Sequence, residues 1–216
     1  MKSRIPNFLL TAIFFFLIIS CSTATKIACV GDSITYGSGI IERDSLSYPK
    51  QLQNKLGKKY EVQNFGVSGA TLLKKGDKPY WEQPEFKSAK KFMPDVVIIM
   101  LGTNDSKTFN WETYKNEFNS DYNSMIQTFK KLNPKTKIYI GLPPPVFENR
   151  WDMQKTVVEF EILIILKKVA AENGLKTIDF FSIFQGNSIY FPDGVHPNSE
   201  GAKIMADEVS ILFFNK

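Results

Sequence analysis

Short apolar runs alternate along the chain with longer stretches in which apolar residues recur every three or four positions. Ile27-Ala28-Cys29-Val30, Tyr60 to Phe65, Val96 to Leu101, Ile138-Tyr139-Ile140 and Thr177-Ile178-Asp179-Phe180 have the length and character of strands. Val96 to Leu101 is apolar at every position, so both of its faces need cover, which places it in the middle of a parallel sheet. Between these runs the spacing predicts helices. One passes from Tyr48-Pro49 through Leu52 and Leu56 to a stop at Gly57, and another runs from Glu82 to Phe92. A long one carries Trp111, Tyr114, Phe118, Tyr122, Met125, Phe129 and Leu132 on one stripe. Two more extend from Met153 to Glu172 and from Ser199 to about Phe213. Strand and helix in regular alternation predict an α/β fold, a five-stranded parallel sheet with helices on both faces. Right-handed crossovers then collect the carboxyl end of every strand on one edge.

Four glycine- or proline-bearing turns fall at those carboxyl ends: Gly31-Asp32-Ser33-Ile34-Thr35-Tyr36-Gly37, Gly66-Val67-Ser68-Gly69-Ala70-Thr71, Gly102-Thr103-Asn104-Asp105 and Gly141-Leu142-Pro143-Pro144-Pro145. Open parallel sheets hold ligands along this edge, so Ser33 is a candidate nucleophile, although a hydroxyl cap on a strand-to-helix turn reads equally well from the tripeptide alone. A serine nucleophile needs a base within hydrogen-bond reach and a third group to orient the base. His196 is the single histidine of the chain, and Asp193 stands three residues before it, in a turn that also contains Gly194 and Pro197. The alternative for that pair is a turn in which Asp193 caps its own backbone. An oxyanion would need donors, and the N–H groups of Ser33 and Gly69 with the side-chain amide of Asn104 could supply three. Gly69, without a Cβ, lets the backbone come close.

Composition narrows the chemistry. The formal net charge of +5 includes Lys2 and Arg4 in the first segment, and what remains is too mild to argue for nucleic acid. Two cysteines and one histidine cannot build a structural zinc site, so metal-free and cofactor-free chemistry is expected. Cys29, in mid-strand, reads as an inert core thiol. An extended segment carries it too far from Cys21 for a disulfide.

Lys2 and Arg4 precede an apolar run from Phe8 to Ile19, interrupted by Thr11 and followed by Ser20-Cys21. Positive flank, short apolar middle and small residue make residues 1–20 a secretory signal. Ile18-Ile19-Ser20-Cys21 resembles the lipobox of bacterial lipoproteins, which implies cleavage before Cys21, a lipid on its sulfur and anchoring at a bacterial membrane. Residues 26–216 are then one domain in the cell envelope. The alternatives are cleavage near Ala24 to release a secreted or periplasmic protein, an uncleaved anchor, or a buried N-terminal helix.

GDSITYG, NFGVSGAT, GTND and DGVHP, in that order, resemble the motifs of the GDSL or SGNH hydrolases over essentially the whole stretch from Lys26 to the last helix. The resemblance implies a three-layer αβα flavodoxin-like sandwich with strand order 2-1-3-4-5. It also implies a catalytic set of Ser33, Asp193 and His196, with Ser33, Gly69 and Asn104 around the oxyanion, and hydrolysis of carboxylic esters through an acyl-enzyme. That family handles acetylated sugars, short acyl esters, lysophospholipids and thioesters. An envelope protein meets glycans, and the chain has no inserted apolar lid, so an acetyl esterase acting on O-acetylated carbohydrate is expected. A lipid-directed acylhydrolase is the rival, and a non-catalytic glycan-binding domain the third reading. Tyr80, Trp81, Phe147, Arg150 and Trp151 are expected at the substrate rim, where Arg150 or the Lys74-Lys75 pair could meet the carboxylate of an acidic sugar.

Overall fold

The computed structural model describes residues 24–214. Residues 1–20, the expected signal segment, and Cys21 lie outside the described residues. Five parallel strands, β1 (Thr25–Gly31), β2 (Tyr60–Gly66), β3 (Val96–Met100), β4 (Lys137–Leu142) and β5 (Lys176–Asp179), form one sheet in the order β2-β1-β3-β4-β5. Each residue of β3 is buried, as an uninterrupted apolar run at the centre of a sheet must be. Alternate residues of β1 serve opposite layers. Ala28 and Val30 join the core beneath α4 (Pro84–Lys91), α6 (Phe118–Leu132) and α8 (Leu163–Glu172), while Ile27 and Cys29 join the core beneath α3 (Tyr48–Leu56) and α10 (Ser199–Phe214). Burial pushes the Cys29 thiol up to about 12, against a smaller opposing effect of Tyr48, so it stays protonated and unreactive.

Three predicted helices differ from those observed. The stretch at Glu82 begins as one 3-10 turn, Tyr80–Glu82, and α4 starts only at Pro84, whose missing N–H costs nothing in a first turn. The long aromatic helix is two pieces, α5 (Thr108–Tyr114) and α6, joined by the 3-10 turn Lys115–Glu117. Seven residues of straight helix would separate Trp111 from Phe118 by roughly 10 Å along the axis. With the turn between them, their rings pack edge to face at 5.3 Å. The third helix begins not at Met153 but at α7 (Lys155–Val157), and it passes through a π turn, Val158–Ile162, into α8. Trp151 and Asp152 have left-handed φ values of 51° and 64°, which no helix accepts, and Asn149 Oδ1 takes the N–H of Lys155 at 3.0 Å.

The remaining short helices, α1 (Ser33–Tyr36), α2 (Arg43–Leu46) and α9 (Phe180–Phe184), all follow strand ends or their loops. Placing α1 directly on the sheet requires glycine. Gly31 pairs with Gly66 in the register of β1 and β2, and a Cβ on Gly66 would stand 2.2 Å from the Tyr36 nitrogen. The first helical turn after β1 therefore rests against bare backbone, with Ser33 at its start.

Candidate active site

Asp32 caps α1, its Oδ1 accepting from the Ile34 N–H at 2.9 Å, so the turn that presents Ser33 is fixed by its own neighbour. The Ser33 side chain meets the chain's one histidine from the far end of the sequence. His196 Nε2 lies 2.8 Å from Ser33 Oγ, and Nδ1 lies 2.8 Å from Asp193 Oδ2. The carboxylate only accepts, so Nδ1 carries the proton, and the bare Nε2 receives the hydroxyl of Ser33. Asp193 also caps its own turn, as its alternative reading required. Oδ1 accepts from the N–H groups of Val195 at 2.9 Å and His196 at 2.7 Å. Partial burial pushes the Asp193 carboxyl up, but the backbone and side-chain hydrogen bonds from His196 and the Val195 N–H outweigh it and hold the group below its usual pKa. The two roles are compatible because each oxygen serves one.

The donors face the same place. Ser33, Gly69 and Asn104 line one cavity of about 320 Å³ together with His196, Ser68, Lys107, Trp151 and Met153. The Ser33 and Gly69 N–H groups find no acceptor among the described residues. Asn104 Nδ2 donates to the Ala70 carbonyl at 3.1 Å, which sets the direction of the amide, because Oδ1 in that position would oppose another acceptor. One N–H of the amide then remains for the cavity. Gly69 is needed for conformation rather than for close approach. Its φ is 80°, and a Cβ there would make only ordinary contact, 3.7 Å from the Lys78 side chain. Three larger clefts among the described residues, of about 420, 390 and 360 Å³, lie away from these groups.

Two carboxyls sit beneath the cavity. Asp32 is raised to about 6, chiefly by burial, against the Ile34 N–H, the charge of His196 and the hydroxyl of Thr103. Asp105 is raised to about 7, again chiefly by burial, while the N–H groups of Leu73 and Leu72 donate to its two oxygens at 2.7 and 2.9 Å and oppose the rise.

The expected rim holds only in part. Tyr80 is fully buried and donates its hydroxyl to the Phe65 carbonyl at 2.6 Å. Trp81 donates its indole N–H to Leu72 O at 2.6 Å and packs on Phe86. Both fasten the loop after β2 instead of facing substrate. Phe147 packs on Phe191 with ring centroids 5.1 Å apart and does not line the cavity. The Lys74-Lys75 pair is likewise engaged elsewhere, Lys74 with Asp121 at 3.1 Å and Lys75 with Glu117 at 2.8 Å. Trp151 does line the cavity, half exposed, 5.3 Å from the His196 ring, with the Arg150 guanidinium 5.1 Å from its own ring. Arg150 itself donates to the Asp193 carbonyl at 3.2 Å. Sequence reasoning missed Lys107, which is paired with Asp77 at 2.7 Å, and also Met153 and Ser68. Lys107 follows the third motif by two residues and Ser68 stands inside the second, which is a signal of position that residue type did not give.

The GDSL-like Lipase/Acylhydrolase family matches residues 29–204. The chain belongs to that family. This GDSL-like chain is 42% identical, over 206 residues, to an acetylxylan esterase of Xylanibacter ruminicola, in an alignment covering 87% of the chain and 42% of the relative. The chain thus spans about two fifths of that relative's length. Among solved structures, an acetyl xylan esterase superposes with a TM-score of 0.68 at 20% identity, covering 88% of this chain and 100% of that one. The aryl esterase of M. smegmatis superposes with a TM-score of 0.69 at 20% identity, covering 88% and 98%. At that identity the two structures speak to the fold.

Proposed function

We propose that the protein is a serine esterase that removes short acyl groups, acetyl first, from O-acylated carbohydrate. The observation that carries this reading is the unbroken chain Ser33 Oγ to His196 Nε2, and His196 Nδ1 to Asp193 Oδ2, each at 2.8 Å, beside two unspent backbone N–H groups and the Asn104 amide. In the first step Ser33 Oγ bonds to the carbonyl carbon as its proton passes to Nε2. The carbonyl oxygen becomes an anion that the N–H groups of Ser33 and Gly69 and the Asn104 amide receive. Collapse breaks the ester C–O bond, the departing alcohol takes the proton from Nε2, and an acyl-serine remains. Water then attacks by the same route, losing its proton to Nε2 and returning Ser33. Asp193, kept ionised, stabilises the imidazolium of each step.

The lining argues for a short acyl group. Among the side chains around the cavity only Trp151 and Met153 are large and apolar. Each buried methylene gains about 0.8 kcal/mol only where it finds an apolar wall. A long acyl tail has little wall here. Trp151, flat and beside His196, offers a face to the sugar ring of the leaving alcohol. Support for acetylated carbohydrate comes from the acetylxylan esterase relative. The signal segment and Cys21 support an anchored position in the bacterial envelope as part of the same reading.

A panel of p-nitrophenyl acetate, butyrate and octanoate, run beside acetylated xylan, O-acetyl sialic acid and a lysophospholipid, tests the substrate. The expected order of kcat/KM is acetate above butyrate, with octanoate lower by about tenfold or more, and release of acetate from acetylated xylan. Preference for octanoate or for the lysophospholipid would replace this reading with a lipid-directed acylhydrolase.

A further inference from the structure

The edge of the sheet opposite the candidate active site is made of strand starts and helix ends, and it is rich in lysine. Lys26 opens β1, Lys58 and Lys59 precede β2, Lys135 and Lys137 lead into β4, and Lys176 opens β5. Lysines at helix carboxyl termini, such as Lys90, Lys91, Lys130 and Lys131 here, are accounted for by the helix dipole. Lys58 and Lys59 close the 3-10 turn Gly57–Lys59 that follows α3, but Lys135, Lys137 and Lys176 lie at strand starts, and strands carry little net dipole. Among the described residues Lys58, Lys59, Lys135, Lys137 and Lys176 make no ion pair, although all five are exposed. The acids nearby are mostly engaged: Asp95 accepts from the Lys26 N–H at 2.9 Å, Asp207 pairs with Lys55 at 2.7 Å and Glu172 with Lys168 at 3.8 Å. Glu61, half-buried, makes no ion pair and takes the Gln63 amide at 2.9 Å.

Apolar side chains stand out between these lysines. Met93 is 47% exposed, Leu132 36% and Phe214 57%, and they close the α4, α6 and α10 ends of this edge. A cleft of about 390 Å³ opens there, where Thr25 and Tyr60 meet Lys135, Lys137 and the end of α10 at Leu212 and Phe213. Thr25 also locates the apolar run of the sequence. Only five residues separate Ile19 from Thr25, a reach of roughly 20 Å when fully extended. Whatever bilayer holds that run, or a lipid on Cys21, therefore stands opposite this edge and not opposite Ser33. The loops at the active-site edge carry charges of both signs, Glu42, Asp44, Glu148 and Asp152 beside Arg43, Lys78, Lys107 and Arg150.

We propose that the strand-start edge is a docking surface for a bilayer of anionic phospholipid. Lys58, Lys59, Lys135, Lys137 and Lys176 meet the headgroups, Met93, Leu132 and Phe214 enter the interface between them, and the cavity at Ser33 points away from the membrane toward soluble or polymeric substrate. Attraction of this kind acts within a Debye length, about 8–10 Å at physiological salt, and the short tether keeps the edge near that range.

The full-length chain is reconstituted in phosphatidylcholine vesicles and in vesicles with about 30% phosphatidylglycerol, and backbone hydrogen exchange is followed by mass spectrometry. The expected result is exchange slowed by about fivefold or more over segments 57–60, 92–95 and 133–137 in the anionic vesicles alone, with segments 102–107 and 148–154 unchanged. Raising salt to roughly 0.5 M is expected to remove the protection. The combined substitution Lys58→Glu, Lys59→Glu, Lys135→Glu and Lys137→Glu is expected to do the same, its circular dichroism remaining that of the unsubstituted chain. Equal exchange in both vesicle types, protection that survives salt, or protection of the active-site edge would each overturn the proposal, and the salt series on the unsubstituted chain decides even where the variant fails to fold.

Discussion

Asn104 is the residue whose chemistry is most exposed to test, because its amide can donate to a developing anion with one N–H that no carbonyl takes. One hydrogen of Nδ2 is committed to the Ala70 carbonyl and the other faces the cavity. Asn104→Ala is expected to lower kcat on p-nitrophenyl acetate about 10²- to 10³-fold while KM moves little, since the interaction strengthens only as charge develops on the oxygen. Steady-state kinetics of the purified variant checks this, and a change confined to KM would assign Asn104 to ground-state binding. At this scale Ser33, Gly69 and Asn104 were legible because each lies in a short motif at a strand end, and Asp193 and His196 because their motif completes the ordered set that resembles the GDSL or SGNH hydrolases. Tyr80 and Trp81 were misread because an aromatic residue in a lysine-rich loop reads as exposed. Their hydroxyl and indole N–H in fact satisfy carbonyls inside the fold, those of Phe65 and Leu72.

Between elements, the loops that carry the site are held by two carboxyls, Asp105 buried and Asp152 exposed. Asp105 at the end of β3 takes the Leu72 and Leu73 N–H groups and so ties the loop after β2 to the centre of the sheet. Asp152 takes the Thr108 N–H at 2.9 Å and its hydroxyl at 2.8 Å, pinning the strained Trp151 turn to the start of α5. The sequence could not have shown either tie, because both join segments more than 30 residues apart. The same holds for the interrupted helices, whose breaks answer to packing across the core and contain no proline or glycine. The strands and their cover of helices were legible from the hydrophobic runs, while the strand order 2-1-3-4-5 came from what the resemblance to the GDSL or SGNH hydrolases implies. The buried carboxylates also set a dependence on pH. Unfolded, Asp32 and Asp105 titrate near 3.8. Folded, they titrate at about 6 and about 7. The folded state thus binds more protons between about pH 4 and 7, and their contribution to stability is full below that window and lost as pH rises through it. Asp193, lowered, acts in the opposite sense but only below its unfolded value near 3.8. Denaturant midpoints are expected to be higher at about pH 5 than at about pH 8, with the difference reduced in Asp32→Asn. Midpoints that climb across the same interval would show that these carboxyls are not held protonated by the fold.

For the whole molecule, the parallel sheet does the assembling. Ser33, Gly69, Asn104 and the Asp193–His196 turn come from four separate stretches of chain, and they meet because their strands share a direction and their carboxyl ends share an edge. Membership of the GDSL-like Lipase/Acylhydrolase family fits that plan. The central claim is that Ser33 is the nucleophile of an esterase. The most direct test is to treat the protein with a fluorophosphonate, follow hydrolysis of p-nitrophenyl acetate as the reagent reacts, and map the adduct by mass spectrometry. The account predicts a single adduct on Ser33, with activity lost in step with its formation. An adduct on another residue, or full activity after Ser33 has been modified, would contradict it.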